Sequence, residues 1–252
     1  MWAERIRSMA ALHWGVAFGA ILAGWAVLWV MSVPADLRAL SALYGPDFWE
    51  ALCTVTPDMA GGVKLWAMWS AMAAAMMLPT ALPALASFDD LPGTSSHDAL
   101  RFVGGFLAVW AGFAAIAAIA QMALWQTGWV DAIGVSTSRW LTAGLLAGAG
   151  LYQFSTLKAA CLSKCRAPLT FFMQHWDAGA WRMGVRMGAV CLGCCWTLMA
   201  LGFVGGTMNL AWMGAATVLM VVEKLPRLGA PLTQPLGYGL LGAAGLAALG
   251  LL

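Results

Sequence analysis

The sequence predicts an all-α protein, built as a polytopic bundle of about seven transmembrane helices. Three observations carry that reading. Of 252 residues, 62% are apolar and only 10% charged, against about 45–50% and about 25% in ordinary soluble chains. The apolar residues gather in runs near the roughly 20 residues that cross about 30 Å of hydrocarbon. These runs lack the period-two alternation of a transmembrane barrel, which leaves helices to satisfy the backbone in lipid. Composition therefore excludes a soluble enzyme, a disordered chain and a nucleic-acid reader with a basic face. The net charge of +2 implies no acidic partner, and the expected surroundings are membrane lipid.

The first run, 11–33, follows Met1-Trp-Ala-Glu-Arg-Ile-Arg. It is too long for a signal peptide and has no convincing small-residue cleavage site before Pro34, so it is expected to be a retained span. Residues 34–62 form the longest extramembrane stretch, enough for a surface helix but not for a second domain. The second run, 63–87, carries Met68, Met72 and Met76 at every fourth position, which lines them along one ridge. Pro79 and Pro83 follow. Pro79 offers no N–H to the Ala75 carbonyl, so the helix is expected to kink or open there. The third run, 99–126, is approached through Gly93-Thr-Ser-Ser-His, which reads as a helix start before Asp98. The remaining runs are 140–157, 183–205, 207–223 and 236–252. The last is rich in Gly and Ala, the composition of close helix packing. Residues 1–252 thus read as one membrane domain.

Orientation follows from the basic residues. With the N-terminus in the cytoplasm, inner segments hold Arg5, Arg7, Arg101, Lys158, Lys164, Arg166, Arg182, Arg186, Lys224 and Arg227. Outer segments hold Arg38, Lys64 and Arg139. Ten against three predicts the N-terminus inside and the C-terminus outside.

Sulfur is the informative part of the composition, with 6 Cys and 16 Met. Methionine is an ordinary gap filler in apolar cores, but Met76 and Met77 end a Met-rich face at a proline. In the fifth run Met183, Met187, Cys191, Cys195 and Met199 step by four, and Cys194 lies one turn from Cys191. Cys191, Cys194 and Cys195 thus fall within about 6 Å of helix axis. Packing is one account of them, since buried Cys behaves as a small hydrophobe; soft-metal ligation is the other. Counting residues from the inner ends puts Met76 and Met77 at roughly 15 Å and the cysteines at roughly 12–18 Å, one level in the membrane. A second pair, Cys161 and Cys165, falls on one helical face in a basic stretch expected to lower thiol pKa. His175 follows ten residues later, giving a ligand-like set that matches no zinc-finger spacing. Lys164 and Arg166 read as the positive-inside signal. Gln153, Asn209 and Glu223 are costly in lipid and expected to face the bundle interior.

No phosphate loop, His-Glu-x-x-His or Gly-x-Ser-x-Gly occurs, so ATPase, metalloprotease and esterase readings lack their residues. No catalytic residue is assigned, and whether the chain is an enzyme stays open.

Several segments together resemble a known family. They are Met72 to Pro79; Gly150 to Pro168 with its Tyr152-Gln153, Leu157-Lys158 and Cys161-x3-Cys165; Gly184 to Trp196 with Cys191-x2-Cys194-Cys195-Trp196; Gly206 to Met213; and Glu223-Lys224. These resemble the bacterial family of predicted metal-binding integral membrane proteins labelled DUF2182, over about residues 65 to 225. The resemblance implies a metal site and a multi-pass protein of the bacterial inner membrane, and supplies no reaction.

The favoured function is metal binding, best suited to Cu(I), in copper handling or maturation of a copper enzyme, with zinc as the second metal considered. Cys191, Cys194 and Cys195 would be core ligands, Met76 or Met77 would complete the site, and Cys161 and Cys165 would relay the ion. The alternatives are a subunit of a membrane redox enzyme acting on a lipid-soluble substrate, and a metal transporter. Beyond the metal ion, a soluble or membrane protein partner is expected.

Overall fold

A computed structural model describes residues 12–32, 58–131, 133–174 and 178–251. Among them lie ten helices and no β-strand, only an isolated bridge between Val130 and Ser136. In chain order the helices are α1 (Leu12–Ser32), α2 (Met59–Asp89), α3 (Ser96–Gln126), α4 (Arg139–Gln153) and α5 (Thr156–Arg166). Then come α6 (Pro168–Met173), α7 (Ala180–Ala200), α8 (Gly202–Gly205), α9 (Leu210–Lys224) and α10 (Gly229–Ala248). Among the described residues four segments are long and apolar enough to cross a membrane: Leu12–Ser32, Met59–Asp89, Ser96–Gln126 and Ala180–Gly205. Length and composition therefore support four spans where the sequence predicts seven. The helices in the fourth and sixth runs, α4 and α9, have 15 residues each, short of the roughly 20 that a span requires.

The helix starts are chemically specified. Asp58 accepts from the Gly61 amide, 2.8 Å, to begin α2. Ser95 and Asp98 exchange hydrogen bonds as a capping box that begins α3, as the loop sequence predicts. Asn209, expected to be an interior polar residue, instead caps α9 by accepting from the Trp212 amide, 3.1 Å. The fourth run is not one helix. Phe154 ends α4, and Ser155 accepts from the Lys158 amide, 3.1 Å, to start α5.

The expected opening at Pro79 does not occur, because α2 runs through both Pro79 and Pro83. The orphaned Ala75 carbonyl is satisfied from outside the helix, by the indole N–H of Trp25 on α1 at 3.1 Å.

The core is a single apolar cluster built mostly from α1, α2, α3 and α7 and reaching into α4, α5, α6, α9 and α10. α3 and α7 approach most closely at glycines. A Cβ on Gly184 would collide with the Phe102 carbonyl, and one on Gly105 with the Trp181 carbonyl, so backbone rests on backbone there. That contact fixes α7, and with it the cysteine turn about two to three turns further along.

Candidate functional site

The turn of α7 from Cys191 to Cys195 is met by α2, α4, α5 and α9. Its three thiols are buried. Cys194 Sγ lies 3.2 Å from Cys195 Sγ and donates to the Cys191 carbonyl at 3.1 Å. From α5, Cys165 Sγ comes within 3.9 Å of Cys194 Sγ. Cys161, one turn earlier, sits where Gly193 lacks a side chain; a Cβ on Gly193 would lie 2.6 Å from Cys161 Sγ. The structure therefore brings five of the predicted cysteines to one place, all with free thiols. The contacts are pairwise. Among the described residues no group of three or more His, Cys, Asp and Glu side chains is gathered as a metal-holding set.

Met76 and Met77 are buried on α2. What α2 extends to the thiols is Thr80, one turn on: its Oγ1 is 3.9 Å from Cys191 Sγ. His175 lies outside the described residues. The half-buried Cys161 does not behave as the basic stretch predicts. Burial pushes its thiol above the ordinary range, and Lys164 opposes that only in part.

The charged residues around the thiols carry more than topology. Lys224 Nζ on α9 donates to Cys191 Sγ at 3.0 Å and to Thr80 Oγ1 at 2.7 Å. Lys158 is fully buried, with Nζ 2.9 Å from both carboxylate oxygens of Glu223 and its hydrogen bond going to Oε2. Arg166 donates from Nε and Nη2 to the Glu223 carbonyl, at 3.1 and 2.8 Å. Arg166 therefore pins α5 to α9, whereas the sequence reading gave it only an orientation role; Lys164 is exposed. On the other side, the Tyr152 hydroxyl of α4 donates to the Gly193 carbonyl, and its ring meets Trp196 edge-on.

Lys224, Thr80 and Tyr152 are functional candidates that sequence reasoning missed. A signal existed for Thr80, which follows Met76 by four residues on the same ridge. Lys224 looked like a helix end, and its burial depends on packing between distant segments.

Chemically, the arrangement offers soft sulfur donors in a desolvated pocket, one ammonium against them, and a half-exposed thiol pair on a short polar helix. These donors suit a soft metal ion. No curated protein and no solved structure matches the chain. A family model described as PpoB2, copper chaperone, matches residues 66–247, a span that holds all the thiols described above, and the chain belongs to that copper-chaperone family.

Proposed function

We propose that this protein handles Cu(I) in the bacterial cytoplasmic membrane, holding the ion on thiols and passing it to a copper enzyme during that enzyme's maturation. The observation that carries the reading is the contact of thiols from two helices, Cys165 with Cys194 and Cys194 with Cys195, in a chain of a copper-chaperone family. Thiolate and thioether donors favour soft ions such as Cu(I) over hard ones, and the copper-chaperone family supports copper among them. Donors arranged in pairs suit an ion that accepts low coordination numbers.

In this reading Cys191, Cys194 and Cys195 hold the cargo, and Met76 or Met77 adds a thioether. Cys161 and Cys165, half-buried on α5, exchange the ion with the ligands of a protein partner, soluble or membrane-bound. His175, ten residues after Cys165 in the sequence, is a further ligand-type residue. The ion moves by sulfur-for-sulfur substitution, so it need never be released bare. In this reading the port faces the cytoplasm, which the excess of basic residues in the segments assigned to that side supports.

The test is elemental analysis of protein purified without affinity-tag histidines, beside a Cys191→Ser/Cys194→Ser/Cys195→Ser variant. The wild type should carry about one copper per chain and the variant almost none. Copper below about a tenth of an equivalent after anaerobic loading would sink the reading.

A further inference from the structure

Lys224 is a buried ammonium whose hydrogen-bond partners are not carboxylates. The neighbouring carboxylate, Glu223, is already committed to Lys158. Lys224 instead donates to Thr80 Oγ1 and Cys191 Sγ, at 2.7 and 3.0 Å. Thr80 is set up to accept, because its own proton goes to the Met77 carbonyl at 2.8 Å. The ammonium also lies within electrostatic reach of Cys195, Cys194 and Cys165. A charge inside a membrane bundle is costly and marks function unless a countercharge meets it. Here the side chains that can supply one are thiols.

We propose that Lys224 is the specificity-determining counter-ion of the thiol site, matching it to a monovalent soft ion against a divalent one. The inference rests on the proposed function, since it assumes that these thiols take up metal.

The argument is charge arithmetic in a medium of low dielectric. A metal-bound thiol is a thiolate. Of the three thiols that hold the cargo, two ionise against the ion and the third keeps its proton; two thiolates around a monovalent ion leave one negative charge, which the ammonium cancels. The same two thiolates around a divalent ion are already neutral, and the ammonium leaves that complex with an uncompensated positive charge. Buried charge imbalance is expensive, so a single lysine favours the first complex and disfavours the second. Removing its charge should invert both effects. A lysine present only to hold α9 against α7 would act on both complexes alike.

The experiment measures Cu(I) and Cd(II) affinity by anaerobic competition against chelators of known strength, in full-length wild type and in Lys224→Met and Lys224→Arg variants. Cd(II) is the probe because it also seeks thiols but carries two charges. In the Met variant Cu(I) binding should weaken by about tenfold or more, while Cd(II) binding holds or tightens. The Arg variant should stay within about threefold of wild type for both ions. Parallel losses for both ions in the Met variant, or an unchanged Cu(I) affinity, overturn the counter-ion role alone. Should the Met variant not fold, the wild type still decides. Ag(I), soft and monovalent, should load where Cd(II) at the same free concentration does not, and equal loading overturns the role. Failure of the wild type to bind Cu(I) overturns the proposed function as well.

Discussion

The indole N–H of Trp25 donates to the Ala75 carbonyl at 3.1 Å, the carbonyl that Pro79 leaves without a partner in its own helix. One side chain of α1 thus repairs a defect in α2 and locks the two together. Trp25→Phe keeps most of the ring and removes the donor, so it should cost about 1–3 kcal/mol for the orphaned buried carbonyl. Restoring an amide with Pro79→Ala in that background should recover part of the loss. A double-mutant cycle on thermal unfolding in detergent measures the coupling; a Phe variant as stable as wild type would rule it out.

The Lys158–Glu223 pair is buried on both sides, and breaking it leaves an unpaired charge. Glu223→Gln or Lys158→Met alone should destabilise by about 3–5 kcal/mol, whereas the double Lys158→Met/Glu223→Met change should regain most of that. Equal destabilisation by the singles and the double would show that the pair acts through packing rather than charge. Lys158 ties α5 to α9 through this pair, so α5 should loosen in either single variant even though Arg166 keeps its hold on the Glu223 backbone carbonyl. Hydrogen exchange at the amides of α5 should therefore rise.

Much of this architecture was legible in the sequence, for reasons that differ by element. The capping box at Ser95 and Asp98 is a local rule, readable from four residues. The spacing of Cys191, Cys194 and Cys195 placed them on one turn because helical period is local too. The continuity of α2 was not readable, since the donor that makes it tolerable is Trp25, fifty positions away. Lys158 and Lys224 follow the same logic: Lys counted as an orientation signal gives no hint of a partner on another helix. Length misled in the other direction. The fourth apolar run reads as one span because Ser155 is an unremarkable residue in a hydropathy window, yet its hydroxyl starts a new helix.

Cys161 should be a slow nucleophile. Burial raises its pKa above the ordinary thiol range, so at any pH below that value less of it is thiolate than in a free cysteine. Site-resolved alkylation by mass spectrometry should find Cys161 reacting more slowly than a model thiol near pH 8. Its rate should climb toward the model value only as pH rises past the raised pKa. Lys164→Ala removes the opposing positive charge and should slow it further. A Cys161 faster than the model thiol would contradict the shift.

Gly193 tests whether the place of Cys161 against α7 is a packing fact. A Cβ there would lie 2.6 Å from Cys161 Sγ, too close for real atoms, while the Gly193 carbonyl is held from the other side by Tyr152. The turn cannot simply step back, so the Cys161 thiol has to turn aside or α5 has to give way. Gly193→Ala should destabilise by about 1–3 kcal/mol, as overpacking does. Cys161→Ala in that background deletes the sulfur that the new methyl meets and should restore most of the stability. The same pair separates packing from ion transfer. If Cys161 relays the cargo, the double variant regains stability while its copper uptake from a thiol-bound donor stays slow. If Cys161 only fills the notch, uptake returns together with stability.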